Sequence, residues 1–235
     1  QEIRDLEDFV ARNKARVATR NMAMSRQKKL DKMEKIELIK EKPKPRFDFK
    51  QTGAGSKLIF ETNDLVVGYD EPISKPLNLR MERGDRIAIV GPNGLGKTTL
   101  INTILGYQNP ISGSVSFGQN LHIGYFRQEE SYDKETAIQL LWDEFPSLMQ
   151  HEVRAMLAKA GLTTDQYESQ VKVLSGGEKV KVRLCKVMNK PTNILVLDEP
   201  TNHLDPAAKE ELTRALKEYN GGIFLISHER DFYTE

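Results

Sequence analysis

The 235-residue sequence is poor in cysteine, in long apolar runs and, over its first forty residues, in glycine and proline. Cys185 is the only cysteine, which excludes an intrachain disulfide and a cysteine-rich metal site. No apolar run approaches the roughly 20 residues of a transmembrane helix. Because the first residues are charged, no signal peptide is predicted either. We therefore expect a cytoplasmic protein without a membrane span, consisting of one large domain or of a domain with an appendage.

Charge is distributed unevenly along the chain. Residues 1–50 carry 15 Lys and Arg against 9 Asp and Glu, whereas the remainder carries 20 against 25. Residues 1–40 lack helix breakers and are rich in helix formers, so we predict helix over much of them. Between Phe9 and Leu30 no acidic residue accompanies seven cations, which are Arg12, Lys14, Arg16, Arg20, Arg26, Lys28 and Lys29. This stretch is either a solvated linker or a basic helical hairpin that contacts nucleic-acid phosphates; the uncompensated charge favours the hairpin.

A boundary is predicted near residues 43–56. Pro43 and Pro45 cannot continue a helix, and residues 51–56 are rich in turn formers. Beyond it, the segments 57–61, 64–68, 77–81 and 114–117 have the composition of short strands and suggest an antiparallel layer. Tyr69 falls on a turn between two of them, where it is either a half-buried turn residue or a surface that stacks on adenine.

Residues 91–99 carry the main functional prediction. They read Gly-Pro-Asn-Gly-Leu-Gly-Lys-Thr-Thr, with the glycine and lysine spacing of a phosphate-binding loop. An apolar, β-branched strand over 86–90 precedes them and a helix over 98–105 follows, which is the context that the pattern requires. We predict that ATP binds here, with Lys97 on the β- and γ-phosphates and Thr98 on Mg²⁺. The predicted ATP-binding residues are Tyr69, Gly91, Pro92, Asn93, Gly94, Gly96, Lys97, Thr98 and Thr99.

A second phosphate-binding pattern lies at residues 174–178, Leu-Ser-Gly-Gly-Glu, ahead of a run with helical apolar spacing. Paired glycines at the start of a helix leave backbone N–H groups free near the positive end of the helix dipole, which suits a phosphate. A further helical pattern covers residues 136–161 and ends at Gly161. The chain therefore contains two phosphate-binding patterns where one bound nucleotide needs a single loop.

Acidic residues follow a strand near the end of the chain. The apolar run 193–197 predicts a buried parallel strand, and Asp198 and Glu199 come directly after it. Asp198 suits Mg²⁺ and Glu199 suits the activation of water, although an Asp-Glu pair before proline is otherwise only a turn. Asp205 and the proline after it predict the start of a helix. A second buried strand over 223–226 leads to His228, which we place at the same sheet edge as a hydrogen-bond donor to the γ-phosphate.

Together these motifs resemble an ATP-binding cassette over residues 57–235. Its motifs occur in the family order: adenine aromatic Tyr69, Walker A at 91–99, Q-loop Gln128, signature at 174–178, Walker B at 194–199, D-loop Asp205 and switch His228. The resemblance implies an α/β P-loop NTPase fold with a mostly parallel core sheet, an antiparallel β layer and a helical subdomain at about 130–190.

The resemblance also implies the chemistry. Catalysis would involve Glu199, His228, Lys97 and Gln128, and Gln128 would join Thr98 and Asp198 at Mg²⁺. Two cassettes of this family close head to tail, so that the signature of one completes the ATP site of the other. The signature residues implied here are Ser175, Gly176, Gly177 and Glu178, which would account for the second phosphate-binding pattern.

A finer resemblance is to the ABC-F subfamily, whose members carry two cassettes and act on ribosomes. Residues 199–205, Glu-Pro-Thr-Asn-His-Leu-Asp, have its form, and residues 1–45 resemble its helical linker, which reaches rRNA and tRNA. The chain would consist of the linker and the second cassette, truncated at both ends. It would lack the first cassette, which is its natural partner, and in isolation two copies could pair head to tail. A nucleotide-binding subunit of a membrane transporter and a non-hydrolysing scaffold remain alternatives. A short linker tip at 15–24 leans toward a translation factor over an antibiotic-resistance factor without deciding between them.

Overall fold

In a computed structural model, the described residues are Val10, Met22, Met24, Ser25, 43–53, 55–128, Glu130, Tyr132 and 135–229. The chain divides into two compact units, residues 1–41 and residues 42–235. The four described residues of the first unit are helical. The predicted nucleic-acid contacts lie outside the described residues; these are Arg12, Lys14, Arg16, Arg20, Arg26, Lys28 and Lys29.

The second unit is built on two β-sheets. Its strands are β1 (Leu58–Val66), β2 (Arg80–Glu82), β3 (Arg86–Ile89), β4 (Ser112–Phe117), β5 (Ile123–Phe126), β6 (Ile194–Asp198) and β7 (Gly222–Ile226). Strands β3, β7, β6 and β5 form a parallel sheet in that order, and β2, β1 and β4 form an antiparallel sheet. The predicted combination of a parallel core sheet and an antiparallel layer is therefore confirmed.

The first strand corrects one prediction. The segments 57–61 and 64–68 were expected to be separate strands, but β1 runs without interruption from Leu58 to Val66. Its register against β4 shifts between Asn63 and Val66, and Asp64 has a left-handed φ of 44°. Aspartate tolerates this conformation better than most residues, so the polar Asn63-Asp64 pair forms a bulge within one strand instead of a turn between two.

Helices surround the parallel sheet. They are α1 (Lys97–Ile104), α2 (Ala137–Glu144), α3 (Gln150–Lys159), α4 (Thr164–Glu168), α5 (Gly176–Asn189) and α6 (Pro206–Glu218). Helix α6 begins as predicted, with Pro206 in the first turn and the Asp205 side chain accepting a hydrogen bond from the backbone N–H of Ala208 at 2.9 Å. In the described part of the chain, no helix is long and apolar enough to cross a bilayer.

Strand β6 shows why the acidic residues after it are buried. Ile194 and Val196 face a core cluster that includes residues of α1 and the antiparallel sheet, whereas Leu195 and Leu197 face the cluster formed with α2, α3, α5 and α6. Because both faces of the strand are covered, every residue of β6 is buried, including Asp198 at its end. The fold thus delivers a carboxylate to a site with little water.

Candidate nucleotide-binding site

The candidate site lies where the parallel strands end. Strand β7 pairs with β3 on one side and with β6 on the other, so three neighbouring strands finish at the same sheet edge. The phosphate loop follows β3, Asp198 and Glu199 lie at the end of β6, and His228 follows β7. This edge is where open α/β sheets bind their ligands.

The phosphate loop curls around the Lys97 side chain. Lys97 Nζ donates hydrogen bonds to the carbonyl oxygens of Gly91 and Pro92, each at 2.8 Å, and lies 3.3 Å from His228 Nε2. Gly91, Gly94 and Gly96 all have positive φ, and Gly96 is the N-cap of α1. The ammonium group therefore lies within the loop and at the start of a helix, where negative phosphate oxygens are favoured.

Thr98 and Asp198 meet at the base of this loop. Thr98 Oγ1 donates to Asp198 Oδ2 at 2.8 Å, and Asp198 is only 1% exposed. Burial raises the pKa of the Asp198 carboxyl, whereas the Thr98 hydrogen bond and the Lys97 charge act in the opposite direction. Oδ1 of Asp198 is buried without a hydrogen-bond partner within the described ranges.

These two residues fit Mg²⁺. A carboxylate oxygen without a partner beside a hydroxyl group is a donor set of hard oxygens, which Mg²⁺ prefers. Across the residues that the structure describes, no cluster of three or more His, Cys, Asp or Glu could hold a metal. An ion shared with phosphates needs no such cluster, because Mg²⁺ in phosphate sites keeps few protein ligands.

Glu199 is held by three neighbouring side chains. It is buried to 7% exposure, and its Oε2 accepts hydrogen bonds from Asn202 Nδ2 at 2.6 Å and Gln128 Nε2 at 3.4 Å. His228 Nε2 lies 2.8 Å from Glu199 Oε1 and 2.7 Å from Asn93 Oδ1. The carboxylate is therefore fixed beside the phosphate loop, and a carboxylate can accept a proton from water.

Sequence reasoning missed Asn202, whereas it included Gln128 in the site. Asn202 follows Glu199 by three residues, and only the tight turn between them brings the amide to the carboxylate. The Gln128 amide points to Glu199, and its role as a Mg²⁺ ligand stays a prediction. Tyr69 is 70% exposed, so the alternative of a half-buried turn tyrosine is wrong, and Thr99 is buried on α1.

The signature residues line a different cavity. Ser175 is the N-cap of α5, and Glu178 closes a capping box by accepting a hydrogen bond from the Ser175 backbone N–H at 2.8 Å. Glu178 also accepts from Gln166 Nε2 at 2.7 Å. The adjoining cavity, of about 350 Å³, is lined in part by Ser175, Gly176, Gly177, Lys181, His203 and Asp205. Lys97 and His228 are not part of this lining.

His203 packs against both signature glycines. It has a left-handed φ of 65°. A Cβ atom at Gly176 would lie 2.9 Å from His203 Cγ, and one at Gly177 would lie 2.6 Å from its carbonyl oxygen. Beside this contact, Lys181 Nζ on α5 pairs with Asp205 Oδ2 at 3.3 Å. The segment after β6 therefore contacts the start of α5 at two points.

A lysine within a glycine-rich loop, a buried Asp-Glu pair and a histidine on one sheet edge define a P-loop nucleotide-binding protein. The sequence model of the family described as ABC transporter matches residues 74–202, and a second model with that description matches residues 1–49. The chain belongs to the ABC transporter family and is one of its ATP-binding cassettes. Cassettes of this family are ATPases.

Curated relatives align along most of the chain. Over 100% of this chain, it is 65% identical to the uncharacterized ABC transporter ATP-binding protein YfmM of Bacillus subtilis. Over 100% of this chain, it is 37% identical to ABC transporter F family member 2 of Arabidopsis thaliana. Over 88% of this chain, it is 36% identical to the ribosome protection protein VmlR of Bacillus subtilis. The chain spans only 46%, 36% and 39% of these relatives, respectively.

A solved structure shows the same fold. The ATP-binding cassette MJ0796, in a dimeric post-hydrolysis state bound to ADP and Pi, superimposes with a TM-score of 0.63. The match covers 74% of this chain and 90% of that one at 20% sequence identity. The predicted P-loop cassette fold is confirmed by this likeness.

Proposed function

We propose that this chain binds ATP and hydrolyses it to ADP and phosphate at the sheet edge formed by β3, β7 and β6. The observation that carries the proposal is the position of Glu199. Its carboxylate is buried, held by Asn202 and Gln128, and linked through His228 to the loop that contains Lys97. A water molecule next to Glu199 would lose its proton to this carboxylate as it attacks the γ-phosphate in line.

The remaining residues stabilise the charge that develops on the phosphates. Lys97 and the backbone N–H groups at the start of α1 face the β- and γ-phosphates, and His228 donates to a γ-phosphate oxygen. Tyr69 offers an exposed ring for stacking on adenine. Thr98 and Asp198 would hold Mg²⁺, with Gln128 as a further ligand, and the ion supplies positive charge to the phosphate oxygens.

The signature cavity is proposed to serve a second cassette. Ser175, Gly176 and Gly177 line a space that does not contain Lys97, which suits a phosphate delivered by a partner. In the whole protein the partner would be a first cassette of the same chain, and in isolation it would be a second copy arranged head to tail. Turnover by this chain alone would then depend on its concentration.

We further propose an ABC-F protein that acts on the ribosome. Relatives that align along most of this chain are named as an F family member and as a ribosome protection protein, and residues 199–205 have the ABC-F form. ATP-driven closure of the cassettes would move the basic segment 1–45 against rRNA or tRNA. The names of these relatives do not decide between a translation factor and an antibiotic-resistance factor.

The test uses the two-cassette protein with Glu199→Gln and the equivalent change in its first cassette, sedimented with ribosomes in ATP or ADP. We expect sedimentation in ATP only, weakened when Arg16, Arg20 and Arg26 are replaced by alanine. No sedimentation in either nucleotide would overturn the ribosomal role and leave the ATPase standing. Co-purification with an integral membrane protein would instead support a transporter subunit.

A further inference from the structure

A second polar cavity, of about 290 Å³, lies at the outer edge of the parallel sheet, beside β5 and α5. We propose that it binds RNA, with a nucleobase on its aromatic side and phosphates on its basic side. We call it the tyrosine cavity; its lining includes Tyr107, Tyr125, Arg127, Glu130, Arg183, Lys186 and Lys190. The choice of RNA as partner rests on the proposed ribosomal function, whereas the chemistry of the cavity is independent of it.

Aromatic faces form one side of the tyrosine cavity. The rings of Tyr107 and Tyr125 stack with centroids 5.9 Å apart and an interplanar angle of 22°. Tyr107 is 61% exposed, so its ring is accessible to a ligand. Tyr125 is fixed from behind, because its hydroxyl group lies 3.1 Å from Asn102 Oδ1 on α1. An exposed aromatic ring of this kind offers a surface on which a flat base can stack.

Arg127 joins the aromatic side to the basic side. Its guanidinium carbon lies 4.2 Å from the centroid of Tyr107 and 5.2 Å from that of Tyr125. Within the described ranges, no carboxylate forms an ion pair with this guanidinium. A stacked arginine retains N–H groups at its edge, which suits a phosphate or a base edge.

Among its described lining residues, the tyrosine cavity has more cations than acids. Lys186 and Lys190 on α5 share a single carboxylate, that of Glu144, and Glu130 is the other acid beside them. With Arg127 included, the described residues supply three cations against these two carboxylates. Stacked rings next to a surplus of positive charge favour a polyanion with flat bases over an acidic peptide, because the bases can stack on the ring faces.

The cavity is also placed to respond to nucleotide. Arg127 directly precedes Gln128, whose amide lies 3.4 Å from Glu199. Arg183 on α5 donates to the carbonyl oxygens of both residues, at 2.9 Å in the case of Arg127. A shift of Gln128 when the site changes from ATP to ADP would therefore displace Arg127, and RNA contact in the tyrosine cavity would differ between the two states.

The experiment compares Tyr107→Ala/Arg127→Glu with two controls in the Glu199→Gln two-cassette protein. Tyr107→Phe keeps the ring, and Lys57→Glu makes the same change of charge at a side chain that is 80% exposed and directly precedes β1. With Bacillus subtilis ribosomes in ATP, we expect the double variant to bind about tenfold more weakly and both controls to bind within twofold of the parent. Ultraviolet irradiation should cross-link RNA to the peptide that contains Tyr107.

Equal ribosome binding by all variants, with no cross-link at Tyr107, would overturn the RNA site and leave the ribosomal function intact. If the parent does not bind ribosomes, the proposed function fails, and binding of the same variants to protein-free ribosomal RNA decides the inference by itself. A loss confined to the double variant would then support the site. Equal binding, or no binding, would overturn it.

Discussion

The phosphate loop and the signature segment both place glycines at the start of a helix, yet the glycines are needed for different reasons. Gly94 has a φ of 83°, and a Cβ atom there would meet no atom within 4 Å. Gly177 lies in helix α5, and a Cβ atom there would lie 2.6 Å from the His203 carbonyl oxygen. At Gly94 the phosphate loop is therefore shaped by its own backbone, whereas at Gly177 the signature is shaped by a neighbouring segment.

The charged side chains of the phosphate loop and of the signature segment also have different contacts. In the phosphate loop, Lys97 and Glu199 both contact His228, so ionisable groups converge on one place. Around the signature, Lys181 pairs with Asp205 and Glu178 caps its own helix. The charged groups of the signature side are engaged in holding two elements together. The comparison separates a region suited to chemistry from a region suited to docking.

The largest expected effect concerns the chemical region. Glu199→Gln should lower kcat for ATP hydrolysis by about 10²- to 10⁴-fold, the usual contribution of a general base, because the amide cannot accept the proton of water. ATP affinity should change by less than about threefold, since the hydrogen bonds to Asn202 and Gln128 have neutral counterparts. Steady-state turnover and equilibrium binding measure the two quantities. Glu210→Gln, at an exposed position on α6, is the control and should leave both unchanged.

The next effect tests the contact between His203 and the signature. Gly176→Ala and Gly177→Ala should each destabilise the protein by about 1–3 kcal/mol, the usual cost of overpacking. Adding His203→Gly should recover stability for Gly176→Ala, whose clash is with the His203 ring, but not for Gly177→Ala, whose clash is with the carbonyl oxygen that glycine retains. Urea unfolding of the double-mutant cycles measures this difference. Equal coupling in both cycles would contradict the geometry.

A smaller effect is expected in the phosphate loop. Gly94→Ala should cost about 1–2 kcal/mol, because alanine is strained at a left-handed φ although space is available. Gly94→Asn should cost less, since asparagine tolerates this conformation. Urea unfolding without nucleotide gives both values. If asparagine and alanine proved equally destabilising, conformational strain would not be the reason for the glycine.

The smallest effect is a pH dependence. Burial raises the pKa of Asp198 in the folded protein above its unfolded value, so its contribution to stability is present in acid and is lost as pH rises through the folded pKa. Asp198→Asn removes this titration. Without nucleotide and Mg²⁺, the unfolding free energy of Asp198→Asn minus that of the parent should increase from about pH 4 to pH 7. Chemical unfolding at several pH values measures this difference. If the difference decreased as pH rises, the pKa of Asp198 would be lowered by folding and not raised.

Much of the fold could be predicted from the sequence because its signals are local. The phosphate loop carries its own strand, glycines and helix, and the buried strand β6 is a continuous apolar run before two acids. The bulge at Asp64 could not be predicted from the sequence. Whether the polar pair Asn63-Asp64 makes a turn or a bulge depends on the pairing of β1 with β4. The stack of Tyr107 with Arg127 joins residues from separate elements, and no spacing rule links them.

The turn that contains Glu199 and His203 has a consequence for communication. Both residues have left-handed backbone, and only three residues separate them. In the proposed function, Glu199 would act on the ATP bound by this cassette, while His203 would support the signature that contacts the ATP of the partner in a head-to-tail pair. The five consecutive residues 199–203 would therefore be connected to two bound nucleotides. In such a cassette pair, hydrolysis at one ATP site would change the surroundings of the other.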